Sequence, residues 1–150
     1  MRILCLDIGT KRIGVAVSDP LGWTAQPVSV FKRRGGVRDL EAIASLCRKL
    51  AAEHIVIGIP LNEEGGVGVQ AAKVKAFAER VEAHLKSSGI EVLVEMWDER
   101  YSTAIAEERL IGANVSRARR KEVIDKMAAV AILEDYLRAH EAPAAEGNEG

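Results

Sequence analysis

The segment Arg2-Ile-Leu-Cys-Leu-Asp7 constrains the fold most. Its apolar side chains fall on both alternating faces, so a strand built from it needs cover on both sides. Such a strand belongs in the middle of an α/β sheet with helices above and below. The apolar run stops on an acid, Asp7, at the strand's carboxyl end.

The rest of the chain supplies the neighbours. Residues 12–18 (RIGVAVS) read as a second strand, and the short connection Gly9-Thr10-Lys11 predicts an antiparallel hairpin. Residues 24–31 read as a third strand, at an edge because Pro27 cannot donate a ladder hydrogen bond. The period then changes. Leu40, Ile43, Ala44, Cys47, Leu50 and Ala51 follow helical spacing over 38–53. A buried strand at 54–59 stops at Pro60, and a glycine-rich loop spans 62–68. The spacing predicts a helix over 69–87 with Val74, Phe77, Ala78, Val81 and Leu85 inward and Gly89 as its stop. A strand at 91–97 follows. Ser102 or Thr103 caps a short helix ending near Gly112, and a last helix runs from about Arg119 to about Ala139. The order is βββαβαβαα. Right-handed crossovers make the first, fourth and fifth strands parallel in a mixed five-stranded sheet. One domain covers residues 1–140, and 141–150 is expected to be a disordered tail.

At 48% hydrophobic and 29% charged residues, 150 residues suit one globular core. No apolar run is long enough to cross a bilayer, and Asp7 interrupts the opening stretch too early for a signal peptide. Cys5 and Cys47 sit in apolar patterns, and the chain has no CxxC motif or Cys/His cluster, so they read as reduced core residues of a cytoplasmic protein rather than zinc ligands. A disulfide between them is poorly motivated. Net charge is −1, but the tail holds three glutamates and no base, which leaves the body with 21 bases against 19 acids. Two basic clusters stand out, Lys32, Arg33, Arg34 and Arg38, then Arg117, Arg119, Arg120, Lys121 and Lys126. Either alone reads as a solvated loop; together they suggest a polyanionic partner.

Three acids need explaining. Asp7 ends the first strand, and Asp98-Glu99 end the last one. In parallel α/β sheets ligands bind at the carboxyl ends of strands, so these acids share an edge. Asp125 lies one turn before Ala129 and two before Ile132 on the packed face of the last helix, where an acid is costly unless paired or metal-bound. The small Ala128 and Ala129 let that helix approach the sheet. Carboxylates converging there invite a hard divalent cation such as Mg²⁺. A pair of such ions activates water and stabilises the leaving oxygen of a phosphodiester. Singly, each acid has a plainer account: Asp7 as a turn former, Glu99 paired with Arg100, Asp125 paired with Lys121. Ser18-Asp19-Pro20 reads as a turn. His54 reads as packed, and His84 and His140 as surface residues. No Ser/His/Asp arrangement stands out.

The segment Asp7-Ile-Gly-Thr-Lys-Arg-Ile-Gly-Val-Ala-Val-Ser-Asp19 resembles the opening signature of the YqgF family, also called RuvX. Gly58-Ile-Pro60, Asp98-Glu-Arg-Tyr-Ser-Thr103 and Lys126-Met-Ala-Ala129 resemble its later motifs, in order, over residues 1–138. The resemblance implies an RNase H-like fold related to RuvC-type resolvases. It implies a bacterial nuclease that matures the 5′ end of precursor 16S rRNA, and a metal triad on Asp7, Glu99 and Asp125 using Mg²⁺ or Mn²⁺. Glu63-Glu-Gly-Gly-Val67 departs from the family's loop pattern.

Under this reading Lys11, Arg12 and Arg100 meet phosphates near the acids, and Arg117, Arg119, Arg120 and Lys121 hold backbone register. Aromatic content of 4% argues against extensive base stacking. The partner is precursor rRNA, with ribosomal particles, or branched DNA, for which a Holliday junction resolvase would act as a homodimer rather than a monomer. Two other classes remain open. Asp7-Ile-Gly-Thr10 before a hairpin also resembles the phosphate loop of actin-like ATP-binding proteins, which need two such domains. A non-catalytic RNA-binding assembly factor is the other.

Overall fold

The structure is a computed structural model that describes residues 1–60, 66–98 and 127–140. Three strands open the chain, β1 (Ile3–Ile8), β2 (Arg12–Ser18) and β3 (Ala25–Lys32). Helix α1 (Gly36–Leu50), strand β4 (His54–Ile59), helix α2 (Val69–Ser87) and strand β5 (Leu93–Asp98) follow. Residues 127–140 are helical. The strands form one sheet in the order β3-β2-β1-β4-β5. β1 pairs antiparallel with β2 and parallel with β4, and β4 pairs parallel with β5. The doubly apolar β1 is therefore central, and the strand containing Pro27 lies at the edge, as the sequence predicts.

Side-chain alternation splits the sheet into two faces. Leu4, Leu6 and Ile8 of β1, Ile13, Val15 and Val17 of β2, and Ile55 and Ile57 of β4 pack under α1 and α2. Ile3 and Cys5 of β1, Ala16 of β2 and Val56 of β4 pack under Ala129, Val130, Ile132, Leu133 and Tyr136 of the helix at 127–140. Both cysteines are buried and neither forms a disulfide, and burial pushes the Cys47 thiol up to about 11, which leaves it unreactive.

Several boundaries differ from expectation. α1 ends at Leu50 rather than 53, because Ala51 turns into a left-handed conformation (φ 52) and the backbone N–H of Ala52 donates to the Cys47 carbonyl. Ala51 is exposed and Ala52 joins the core in its place. β5 starts at Leu93, not 91, because its partner β4 begins at His54, which pairs with Leu93 and leaves residues 91 and 92 no strand opposite. β3 is displaced by one residue. α2 ends as predicted. Gly89 (φ 76) donates to the Lys86 carbonyl and Ile90 to that of Leu85, which ties off the last turn.

Candidate active site

Asp7 sits one residue from the end of the central strand and is half-buried. Its register partners are Gly14 on β2 and Gly58 on β4. By alternation it shares the face of Ile3 and Cys5, the face covered by the helix at 127–140. Neither neighbouring strand offers a side chain beside the carboxylate, so the sheet is open around Asp7 where it is otherwise filled. A hard oxygen donor in such a recess suits a divalent cation. Among the described residues no three His, Cys, Asp or Glu side chains gather as a metal site. Two of the three expected acids, Glu99 and Asp125, lie outside the described residues, as do Arg100, Arg117, Arg119, Arg120, Lys121, the short helix expected after a cap at Ser102 or Thr103 and ending near Gly112, loop residues 61–65 and the tail.

β5 ends at Asp98, opposite Ile59 of β4. β1 and β5 flank β4 in parallel, so their carboxyl ends meet the same edge two strand spacings apart, roughly 10 Å. Lys11 is exposed in the β1–β2 turn, and Arg12 is half-buried as the first residue of β2. Both therefore lie at the edge where β1 ends.

The turn between them is built tightly. The Gly9 N–H donates to the Arg12 carbonyl at 2.8 Å, and a Cβ on Gly9 would lie 2.8 Å from that same oxygen. Only glycine fits. Arg33 braces the turn from behind. Its backbone N–H donates to the Lys11 carbonyl at 2.8 Å, and Nη1 donates to the Gly9 carbonyl at 3.0 Å. Its guanidinium also lies 4.7 Å from the Phe77 ring centre and pairs with Asp39 at 3.4 Å. Arg33 is thus a strut, not the solvated cation its cluster suggests.

Sequence reasoning missed Asp39, which is 2% exposed. Its carboxylate accepts from the backbone N–H groups of Arg34 (2.8 Å) and Gly35 (3.2 Å) and closes the start of α1. An acid one turn inside a helix that begins at a glycine pair is the signal that could have found it.

Sequence reasoning also missed a polar network on Asp7's face. The Tyr136 hydroxyl donates to Glu95 at 3.0 Å, and Glu95 also lies 3.0 Å from Nε2 of the buried His54, without hydrogen-bond angles. Trp97 Nε1 donates to Asp135 at 2.8 Å. Burial, then the bond to Glu95 and its charge, push the Tyr136 phenol up to about 12. His140 is exposed, as expected, and stacks on Tyr136. His84 is half-buried rather than a surface residue, because it lies on α2 next to Leu85 with its Nε2 inside and unpartnered. Asp19 is the turn former expected. It accepts from the N–H groups of Trp23 and Thr24, which holds its carboxyl below the usual range.

The class of fold is RNase H-like. The structure aligns with RuvC of Thermus thermophilus with a TM-score of 0.58 at 14% identity, over 95% of this chain and 97% of that one. It aligns with T. thermophilus RuvC bound to a Holliday junction with a TM-score of 0.56 at 16% identity, over 93% and 95%. Likeness at that identity establishes the fold alone. A family model described as "RuvX: Holliday junction resolvase" matches residues 1–139. A protein of Syntrophomonas wolfei named "Putative pre-16S rRNA nuclease" is 48% identical over 137 residues, 91% of this chain and 94% of that protein. One of Desulforamulus reducens with the same name is 49% identical over 91% and 96%. The chain belongs to the RuvX family.

Proposed function

We propose that this chain is a divalent-metal-dependent nuclease that hydrolyses phosphodiester bonds in the 5′-end maturation of precursor 16S rRNA. The observation that carries the reading is the place of Asp7: the carboxyl end of the central strand, between two glycines, on the face that the C-terminal helix covers. Glu99 follows Asp98, whose strand ends at the same edge. Asp125 stands four residues before Ala129 and seven before Ile132, and both of those are fully buried on Asp7's face. In a helix that ran back as far as Asp125, that spacing would put all three on one face, which supports Asp125 as the third acid. Asp7, Glu99 and Asp125 would hold Mg²⁺ or Mn²⁺. The cation would activate water and offset charge on the leaving oxygen. Lys11, Arg12 and Arg100 would take phosphates beside the acids, and Arg117, Arg119, Arg120 and Lys121 would hold the strand in register. The names of the relatives support the rRNA substrate. The family's description favours a second reading, cleavage of branched DNA by a homodimer. We assign the protein to the cytoplasm, where precursor rRNA is made.

Incubating a precursor 16S rRNA fragment and a four-way DNA junction side by side, with Mg²⁺ or Mn²⁺, tests the reading. Cleavage of the rRNA, abolished by chelation, is expected. Cleavage of the junction alone moves the substrate to DNA. A folded protein that binds the rRNA and cuts neither substrate is an assembly factor.

A further inference from the structure

The β1–β2 turn divides two surfaces. On one side lies Asp7. On the other, a cleft of about 570 Å³ opens between the turn and α2, with Ile8 at its base. Thr10, Arg33, Gln70, Lys73, Phe77 and Arg80 line it, and among the described residues no acid does. Lys73, Phe77 and Arg80 fall at helical spacing on one face of α2, with the two cations exposed and the ring buried between them. Among the described residues neither Lys73 nor Arg80 makes an ion pair. Arg33 is partly neutralised by Asp39, yet it is fixed by three contacts and so adds a rigid wall.

A plain account would have this as an ordinary solvated helix face. The other side of the same helix argues against that. There, Glu79, Glu82 and Lys86 line a second cleft together with Glu53 and Glu91. Both acids of α2, Glu79 and Glu82, therefore lie on the far side, while Lys73 and Arg80 face the turn that follows Asp7.

We propose that the cleft between the β1–β2 turn and α2 is a phosphate-binding channel for the nucleic-acid backbone flanking the cut. Lys73 and Arg80 are its phosphate ligands, and Thr10 contributes a hydroxyl at its lip. Thr10 is three residues from Asp7, so its Cα lies at most roughly 11 Å from that of Asp7. A backbone crossing the turn places phosphates in the channel within a few nucleotides of the scissile one, at about 3.4 Å of axis per nucleotide in a duplex strand. The exposed Lys11 sits on the crest between the two surfaces. Contacts of this kind carry no sequence information and act through charge. The inference rests on the nuclease reading for the identity of the ligand, but its test does not require turnover.

The test is binding of the full chain to a fluorescent precursor rRNA fragment across a salt series. The Lys73→Ala/Arg80→Ala double variant should bind about tenfold more weakly. Its log K against log salt should be shallower by roughly 1.5, since each phosphate contact contributes about 0.7 to 0.9 to that slope. Lys86→Ala, which removes a cation from the acidic cleft, should match the wild type in binding, slope and cleavage. Thermal melts of all variants should coincide, because the three side chains are exposed. Wild-type affinity and slope in the double variant overturn the proposal, as does an equal loss in Lys86→Ala. A shallower slope in a protein that cuts nothing keeps the channel and removes the nuclease assignment. Cleavage with an unchanged slope does the reverse.

Discussion

The two faces of the sheet are built from different materials. Under α1 and α2 the strands present Leu, Ile and Val, and the helices answer with Leu40, Ile43, Val74, Phe77, Val81 and Leu85. Under the helix at 127–140 the strands present Ile3 and Val56 together with small residues, Cys5, Ala16, Gly14 and Gly58, interrupted by Asp7, Glu95 and Trp97. One face can be optimised for burial alone. The other gives up hydrocarbon to admit carboxylates and the hydrogen bonds that keep them in place. Under the proposed function, stability and chemistry fall on opposite sides of the same five strands.

If that division holds, a change at Asp7 should damage chemistry and spare the fold. Asp7→Asn should lower cleavage at least about a thousandfold, since a lost metal ligand forfeits several kcal/mol of charge stabilisation in the transition state. Its melting temperature should stay near that of the wild type. Turnover at the normal rate by the folded variant would remove Asp7 from the reaction.

Ile57→Ala is the converse. It empties a fully buried position on the hydrocarbon face, and it should cost about 2–5 kcal/mol in urea unfolding. A loss under about 1 kcal/mol would mean that the face is loosely packed.

Tyr136→Phe tests the polar face. Removing the bond to Glu95 should cost about 1–2 kcal/mol, because the acceptor is charged but partly hydrated. The pH dependence gives a sharper reading. Tyr136 holds its proton to about 12 in the folded state against 10 in the unfolded chain, so its contribution is fully present below pH 10 and is lost as pH rises towards 12. Unfolding at pH 9 and pH 11 should show the wild type losing more stability than Tyr136→Phe. Equal losses would place the phenol in water.

The smallest effect is expected for deletion of residues 141–150. With only alanine and proline among its apolar residues, this segment should contribute less than about 1 kcal/mol. A larger loss would mean that the tail docks.

The sequence announced the hydrocarbon face far better than the polar one. Alternation in β1, β2 and β4 and the inward residues of α2 are repeating patterns, and repetition survives small errors of boundary. Pro27 marked an edge because of a single missing donor. Asp7 was legible because an acid ending an apolar run has few explanations. Asp39, Glu95 and Asp135 were not, since each is one carboxylate among 22 acids. What distinguishes them is a partner far away in sequence. Glu95 meets Tyr136, and Asp135 meets Trp97, across a sheet whose register no local pattern reveals. Arg33 failed for the same reason. A cation in a basic run looks solvated until Gly9, Phe77 and Asp39 are brought around it.

The strand order also sets a timetable. β1 meets β2 at once, but its other edge pairs with β4, where Leu4 lies beside Ile55, about fifty residues later. At a synthesis rate of about 5–20 residues per second, that edge waits roughly 3–10 s for its partner on a growing chain. The strand that bears Asp7 is thus the first one made and among the last to be enclosed. Its open edge consists of Ile, Leu and Cys, the kind of surface that associates with other chains when left exposed. The three-stranded meander that forms first covers only one side of it. Until β4 arrives, and then the helix that closes Asp7's face, the nascent protein carries its future centre as an exposed border.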